Sequence, residues 1–165
     1  MEVLYTKRTR LSEEEERALG VTWVDGKDDI LTRSDYVVLM TKYTPETHLM
    51  IGDREFRLMK PSAFFVNAAR GRIVDEAAML AALREGRIAG AGLDVYWTEP
   101  PVGEPAPPEE LYKMDNVILT PHIGSATWES RAEMAMLAAE NMIAMIKGER
   151  PPNLQNPEAL ERVRV

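Results

Sequence analysis

Residues 61–96 read PSAFFVNAARGRIVDEAAMLAALREGRIAGAGLDVY, and this stretch decides the fold. Pro61 introduces the apolar run Ser62 to Val66, which predicts a strand. Asp75 then caps a helix with Met79, Leu80 and Leu83 on one face, and Gly86 ends it. Gly90 to Tyr96 reads as a second strand. A strand, a helix and a strand in this order form a crossover unit of a parallel α/β sheet.

The same rhythm extends outward. Upstream, Val3 to Tyr5 is a short strand, Ser12 caps a helix over Glu13 to Leu19 ended by Gly20, and Val21 to Val24 is another strand. Asp28 to Thr32 is a short helix or turn, and Tyr36 to Met40 is an unbroken apolar run that predicts a strand buried on both faces. Downstream, Pro100 to Pro108 carries five of the 11 prolines and predicts an extended loop, Val117 to Leu119 is a strand closed by Pro121, and Thr127 to Lys147 is a long helix. That helix sets Met134, Leu137, Ala138, Met142 and Met145 at helical spacing, a stripe for core or dimer packing, and Gly148 stops it. The domain reading is residues 1–148, helix 127–147 included, followed by a tail over 149–165.

Composition narrows the chemistry. The 165 residues suit one globular domain with a net charge of −7, which argues against nonspecific nucleic-acid binding. No apolar run approaches the ~20 residues of a membrane span, and the first eight residues lack the pattern of a secretory leader, so a cytoplasmic protein is expected. Cysteine is absent and the histidines are His48 and His122, which removes thiolate chemistry and Cys- or His-rich metal sites. Carboxylates, Arg, Lys and one or two His remain.

Ligands of open parallel sheets bind beyond the carboxyl ends of the strands. Three predicted strands are followed there by Asn67-Ala68-Ala69-Arg70-Gly71, by Trp97-Thr98-Glu99-Pro100 and by Thr120-Pro121-His122-Ile123-Gly124. Taken singly, the Arg reads as a surface ion pair, the Glu as a solvated loop residue and the His as a packed structural residue. Taken together, they leave one sheet edge. A Glu that orients a His makes a general acid–base pair, and an Arg beside them can grip a carboxylate. Such a set suits redox or proton chemistry on a small 2-oxo or 2-hydroxy acid.

Asn67-Ala68-Ala69-Arg70-Gly71, Gly92-Leu93-Asp94-Val95-Tyr96 with Glu99-Pro100, and Thr120-Pro121-His122-Ile123-Gly124 together resemble signatures of the D-isomer-specific 2-hydroxyacid dehydrogenases, glyoxylate/hydroxypyruvate reductase branch. The likeness runs from Val3 to about Pro157. The resemblance implies that Arg70 orients the substrate, His122 donates the proton and Glu99 supports His122, with glyoxylate or hydroxypyruvate as substrate. It places Asp94 near the nicotinamide carboxamide, and Ala68, Ala69, Arg70, His122 and Gly124 against the cofactor. It gives His48 no catalytic role, leaving it a solvent or interface residue.

The resemblance also implies a Rossmann-like doubly wound sheet that is incomplete. The family's first strand and its G-x-G-x-x-G turn have no counterpart in these residues, and neither has its substrate domain. In the 3-2-1-4-5-6 strand order this predicts that Val3 to Tyr5 either pairs with Tyr36 to Met40 or lies unpaired, and that the chain forms a homodimer or needs the upstream region. Weak cofactor binding and little turnover by the chain alone are expected.

At the end of the Val3 to Tyr5 strand, where the fold normally places a ribose-binding acid, stand Lys7, Arg8, Thr9 and Arg10. Three cations and a hydroxyl suit a 2′-phosphate, so NADP is preferred, with NAD as the alternative. Lys42 stands where the family shows a proline beside the adenosine. The competing functional reading is a truncated, non-catalytic nucleotide-binding or dimerisation module.

Overall fold

The computed structural model of the protein describes residues 1–99 and 108–160. Strands β1 (Val3–Tyr5), β2 (Val21–Trp23), β3 (Tyr36–Leu39), β4 (Phe64–Asn67), β5 (Gly90–Leu93) and β6 (Val117–Leu119) alternate with helices α1 (Glu13–Leu19), α2 (Lys27–Arg33), α3 (Asp53–Leu58), α4 (Glu76–Arg84) and α5 (Trp128–Ile146). Among the described residues all strand pairings are parallel, as the alternating pattern requires.

Local chemistry sets the element ends. Ser12 forms a capping box with Glu15 at the start of α1, and Gly20 closes that helix in the left-handed conformation at φ 66°. Asp75 accepts the Ala78 N–H at the start of α4. The sequence reading contained no element over 53–58. There Glu55 returns its carboxylate to the Gly52 N–H, which starts a helix too short to show a period.

The strands form two sheets, β1-β2 and β3-β4-β5-β6. Val3 to Tyr5 therefore neither pairs with β3 nor lies unpaired. It registers with Val21 to Trp23, and the Tyr5 ring meets the Trp23 ring edge-on at 5.3 Å. Pairing along β1-β2 satisfies one edge of the strand, which is the arrangement the 3-2 end of the doubly wound order requires.

Strand β3 is covered on one face, not on both. Val37 and Leu39 are buried, but Tyr36, Val38 and Met40 are 62%, 56% and 72% exposed. The core lies on one side of the four-stranded sheet, where Leu31 of α2, Phe56 of α3 and Ala78, Met79, Ala82 and Leu83 of α4 meet Val37, Leu39, Phe65, Ala91 and Leu93. Phe56 and Phe65, both fully buried, pack edge-to-face at 5.4 Å. Side chains alternate along a strand, so an unbroken apolar run does not tell one covered face from two.

The chain divides into two compact units, one from Met1 to His122 and one from Ile123 onward. In the second unit Thr127 caps α5, and Asn141 and Asn153 exchange hydrogen bonds at 3.0 and 3.2 Å, fastening the tail to the helix. Ala144 alone among the helix's residues is buried, so the stripe of Met134, Leu137, Met142 and Met145 is exposed rather than packed in a core. The predicted proline-rich loop lies outside the described residues except for Pro108. No helix among the described residues is long and apolar enough to cross a membrane.

Candidate active site

Each candidate group hangs from the end of a parallel strand, and short polar side chains tie those ends together. β4 ends at Asn67, whose buried side chain accepts the Ala69 N–H at 3.0 Å and donates to the Arg70 carbonyl at 3.2 Å. This closes a tight turn that carries Arg70 out of the sheet. The Arg70 guanidinium is exposed and donates from Nη1 to the Ala69 carbonyl at 2.6 Å.

The ends of β5 and β6 are joined in the same way. Thr120 donates its backbone N–H to Leu93 at 2.9 Å and its hydroxyl to Asp94 Oδ1 at 2.5 Å. The Tyr96 hydroxyl lies 2.7 Å from the Thr120 carbonyl and 3.1 Å from that of Leu93. Burial pushes the Tyr96 hydroxyl above its ordinary pKa, with Tyr112 and Asp94 nearby adding to the rise.

Glu99 and His122 meet. Oε2 of Glu99 lies 2.5 Å from Nδ1 of His122, while Oε1 accepts the Tyr96 backbone N–H. A carboxylate oxygen accepts, so in the neutral ring Nδ1 carries the proton and Nε2 takes no part in that bond. The Glu99 side chain is 25% exposed and that of His122 43%. His122 adopts φ 52°, a left-handed conformation uncommon outside glycine, in a turn where its N–H bonds the Thr120 carbonyl at 3.1 Å.

Arg70 and Glu99 line one cavity of about 780 Å³ at the carboxyl ends of β3, β4 and β5, with Lys42, Ala68, Ala69 and Trp97. That volume is in the range of small-molecule sites. His122 is not a lining residue and reaches the cavity through Glu99. The approach of the Arg70 and Glu99 turns depends on Gly71, because a Cβ there would sit 2.0 Å from the Tyr96 carbonyl carbon.

Lys7, Arg8, Thr9 and Arg10 do not line this cavity. They follow β1 in the two-stranded sheet. Arg10 is engaged within the chain: its guanidinium forms two bonds to Glu16, at 2.7 and 2.9 Å, and Tyr5 donates to the same carboxylate at 2.8 Å. These bonds hold Glu16 down to about 2. Arg8 acts over a longer range on Glu46, whose carboxyl is lowered by the Thr44 hydroxyl, its own backbone N–H and the Arg8 charge. Gly124 lies in the second unit, in a turn closed by the Ala126 N–H on the Ile123 carbonyl. Among the described residues no group of three or more carboxylate or His side chains is placed to hold a metal.

Sequence reasoning assigned no role to Asn67, Tyr96, Trp97 or Thr120. Asn67 was readable, since an Asn directly after a strand bonds the backbone two residues on. Thr120 and Tyr96 act across strands, and only the register of β5 on β6 reveals them.

Residues 1–124 match the family model described as D-isomer specific 2-hydroxyacid dehydrogenase, NAD binding domain. The chain is 49% identical over 160 residues to the glyoxylate reductase of Thermococcus litoralis, covering 97% of the chain and 46% of that protein. It is 45% identical to glyoxylate/hydroxypyruvate reductase B of Cronobacter sakazakii, covering 98% and 48%. Among solved structures, the NAD-complexed D-isomer specific 2-hydroxyacid dehydrogenase of Lactobacillus delbrueckii superposes with a TM-score of 0.81 at 34% identity, covering 93% of this chain and 48% of that one. The NADPH-dependent glyoxylate/hydroxypyruvate reductase of Sinorhizobium meliloti, in complex with NADP and malonate, superposes with a TM-score of 0.76 at 32% identity, covering 88% and 42%. The chain thus spans about half the length of the curated relatives it matches. The three sequence signatures, the parallel sheet and the matched family model lead to one conclusion: this chain belongs to the D-isomer specific 2-hydroxyacid dehydrogenases, as part of their NAD-binding domain.

Proposed function

We propose that this chain contributes the proton-transfer groups and part of the cofactor face of an NAD(P)H-dependent reductase of a small 2-oxo acid, glyoxylate or hydroxypyruvate. The observation that carries the reading is the 2.5 Å contact between Glu99 and His122, adjoining a cavity that Arg70 also lines. Arg70 would pair with the substrate carboxylate and orient its carbonyl. Glu99 holds the His122 ring through Nδ1–H, and in the doubly protonated ring Nε2 would give its proton to the carbonyl oxygen as that oxygen gains charge. A bound nicotinamide cofactor supplies the hydride that reaches the carbonyl carbon.

The residues present suit such a cofactor. Ala68 and Ala69 leave room at the carboxyl end of β4, and Asp94, held by Thr120, stands at the end of β5 for the carboxamide. At the adenosine end we favour NADP, with Lys7, Arg8 and Thr9 as the 2′-phosphate ligands. Because Glu16 engages Arg10, its part is to shape that turn unless it changes partner. The exposed apolar stripe of α5 supports a homodimer, which sedimentation equilibrium of the purified chain tests. A cytoplasmic setting accords with this metabolic role.

A chimera tests the catalytic reading. The matched stretch of the Thermococcus litoralis glyoxylate reductase is replaced by this chain, and NADPH oxidation with glyoxylate is followed by absorbance. Turnover that His122→Ala reduces by about 10²–10⁴-fold is expected. A folded chimera whose turnover His122→Ala leaves unchanged would refute the assignment.

A further inference from the structure

Trp97 occupies a place that hydrophobic burial does not explain. It is absent from the core cluster and stands on the wall of the cavity, two residues before Glu99. Contacts from two other parts of the chain fix it. Its Nε1–H donates to the Val74 carbonyl at 2.9 Å. Arg72 donates from Nε to the Trp97 carbonyl at 3.4 Å and lays its guanidinium over the indole, 5.5 Å from the ring centre. His48 meets the indole edge-on at 5.9 Å, and Tyr43 meets His48 at 6.0 Å.

The backbone beneath these contacts is held under strain. Leu49, next to His48, adopts φ 53° and is tied by its N–H to the Arg72 carbonyl at 3.1 Å. Among the described residues, Leu49 and His122 are the non-glycine positions with positive φ. Leu49 adjoins His48, whose ring meets Trp97, and Trp97 precedes by two residues the Glu99 that bonds His122. Strain of this kind persists where the surroundings over-determine the conformation, and it concentrates at functional sites.

We propose that Trp97 is a positioning residue for the Glu99–His122 pair, and that the Arg72 and His48 contacts exist to fix the indole. The inference rests on the reading of Glu99 and His122 as the acid–base pair and assigns a support to it. A glutamate has three side-chain rotors to immobilise, and its bond to His122 has value for catalysis only while the backbone from which it hangs stays in place. Trp97 locks that backbone at the Tyr96 to Glu99 turn, which Gly71 allows to sit against the Arg70 turn. His48, read from the sequence as a solvent or interface residue, becomes part of this support.

The test is nitrogen-15 NMR of the histidine rings in the intact chain, with Glu99→Gln as reference. In the wild-type protein His122 should show one tautomer, protonated at Nδ1, with that proton protected from solvent. Trp97→Phe keeps an aromatic ring and removes the Nε1–H bond. It should speed exchange of the Nδ1 proton by roughly two- to tenfold, the worth of one neutral hydrogen bond. Trp97→Ala should convert His122 to the mixed tautomers of the Glu99→Gln reference. A wild-type His122 without a single tautomer would refute the acid–base reading itself. A wild-type signature that survives unchanged in Trp97→Phe and in Trp97→Ala, with the β3–β6 amide spectrum intact, would overturn the positioning role alone.

Discussion

Replacing Gly71 by alanine probes the site through its backbone. The new Cβ would lie 2.0 Å from the carbonyl carbon and oxygen of Tyr96 and 2.5 Å from the Trp97 nitrogen. Ordinary contact begins at 3.4 Å, so the two turns must part by roughly 1.4 Å. Backbone offers no flexible end to swing aside, and overpacking of this kind costs about 1–3 kcal/mol, more where main chain must move. For a chain of this size that corresponds to a fall in melting temperature of roughly 2–10 °C. The displacement also separates Arg70 from Glu99 across the cavity, and a 1 Å misplacement costs about a hundredfold in rate. Thermal melts of the chain, with turnover of the chimera, measure both effects. A Gly71→Ala protein with unchanged melting temperature and unchanged turnover would refute the claim that close approach of these turns builds the site.

Other substitutions separate the roles. In the chimera, Arg70→Ala should chiefly raise KM, whereas His122→Ala should chiefly lower kcat. Phe65→Ala empties a fully buried site against Phe56 and should cost about 3–5 kcal/mol by urea denaturation. Two carboxylates should give opposite pH responses. Burial alone would raise Glu55, but its bonds to Lys27, the Gly52 N–H and Arg54 outweigh that and lower it. Its stabilising effect is therefore complete above the ordinary carboxylate range and lost as pH falls through its lowered pKa. Glu55→Gln should accordingly lower the melting temperature at pH 7 and converge with wild type in acid. Glu76 is raised by burial, so the folded chain holds its proton more tightly and stability falls as pH rises past the ordinary carboxylate range. Glu76→Gln should raise the melting temperature at pH 7, with the gain fading in acid.

The strands and the three strand-end motifs were legible because each is local: an apolar run, a cap, a turn residue. Asp75 and Gly86 bound α4 in the sequence as they do in the fold. What escaped was non-local. The exposure of Tyr36, Val38 and Met40 depends on which face of the sheet the helices cover, and no periodicity within Tyr36 to Met40 records that. The pairing of Arg10 with Glu16 looked like a basic turn beside a separate acidic run, because helix α1 folds back over six residues to join them. Thr120 and Trp97 are placed by strand register and by contacts 23 to 26 positions away.

The central claim is that the carboxyl ends of these strands form a cofactor-binding face. NADPH titration of the nitrogen-15-labelled chain, followed by amide chemical shifts, tests it most directly and tolerates weak binding. The sequence contains no G-x-G-x-x-G turn to cradle the pyrophosphate, so a dissociation constant in the high micromolar range or weaker is expected, roughly −5 kcal/mol or less favourable. The account predicts shifts concentrated at Lys7 to Thr9, Thr41 to Tyr43, Ala68 to Arg72, Asp94 to Glu99 and Thr120 to His122. Shifts confined to other surfaces, or none at millimolar NADPH, would contradict it.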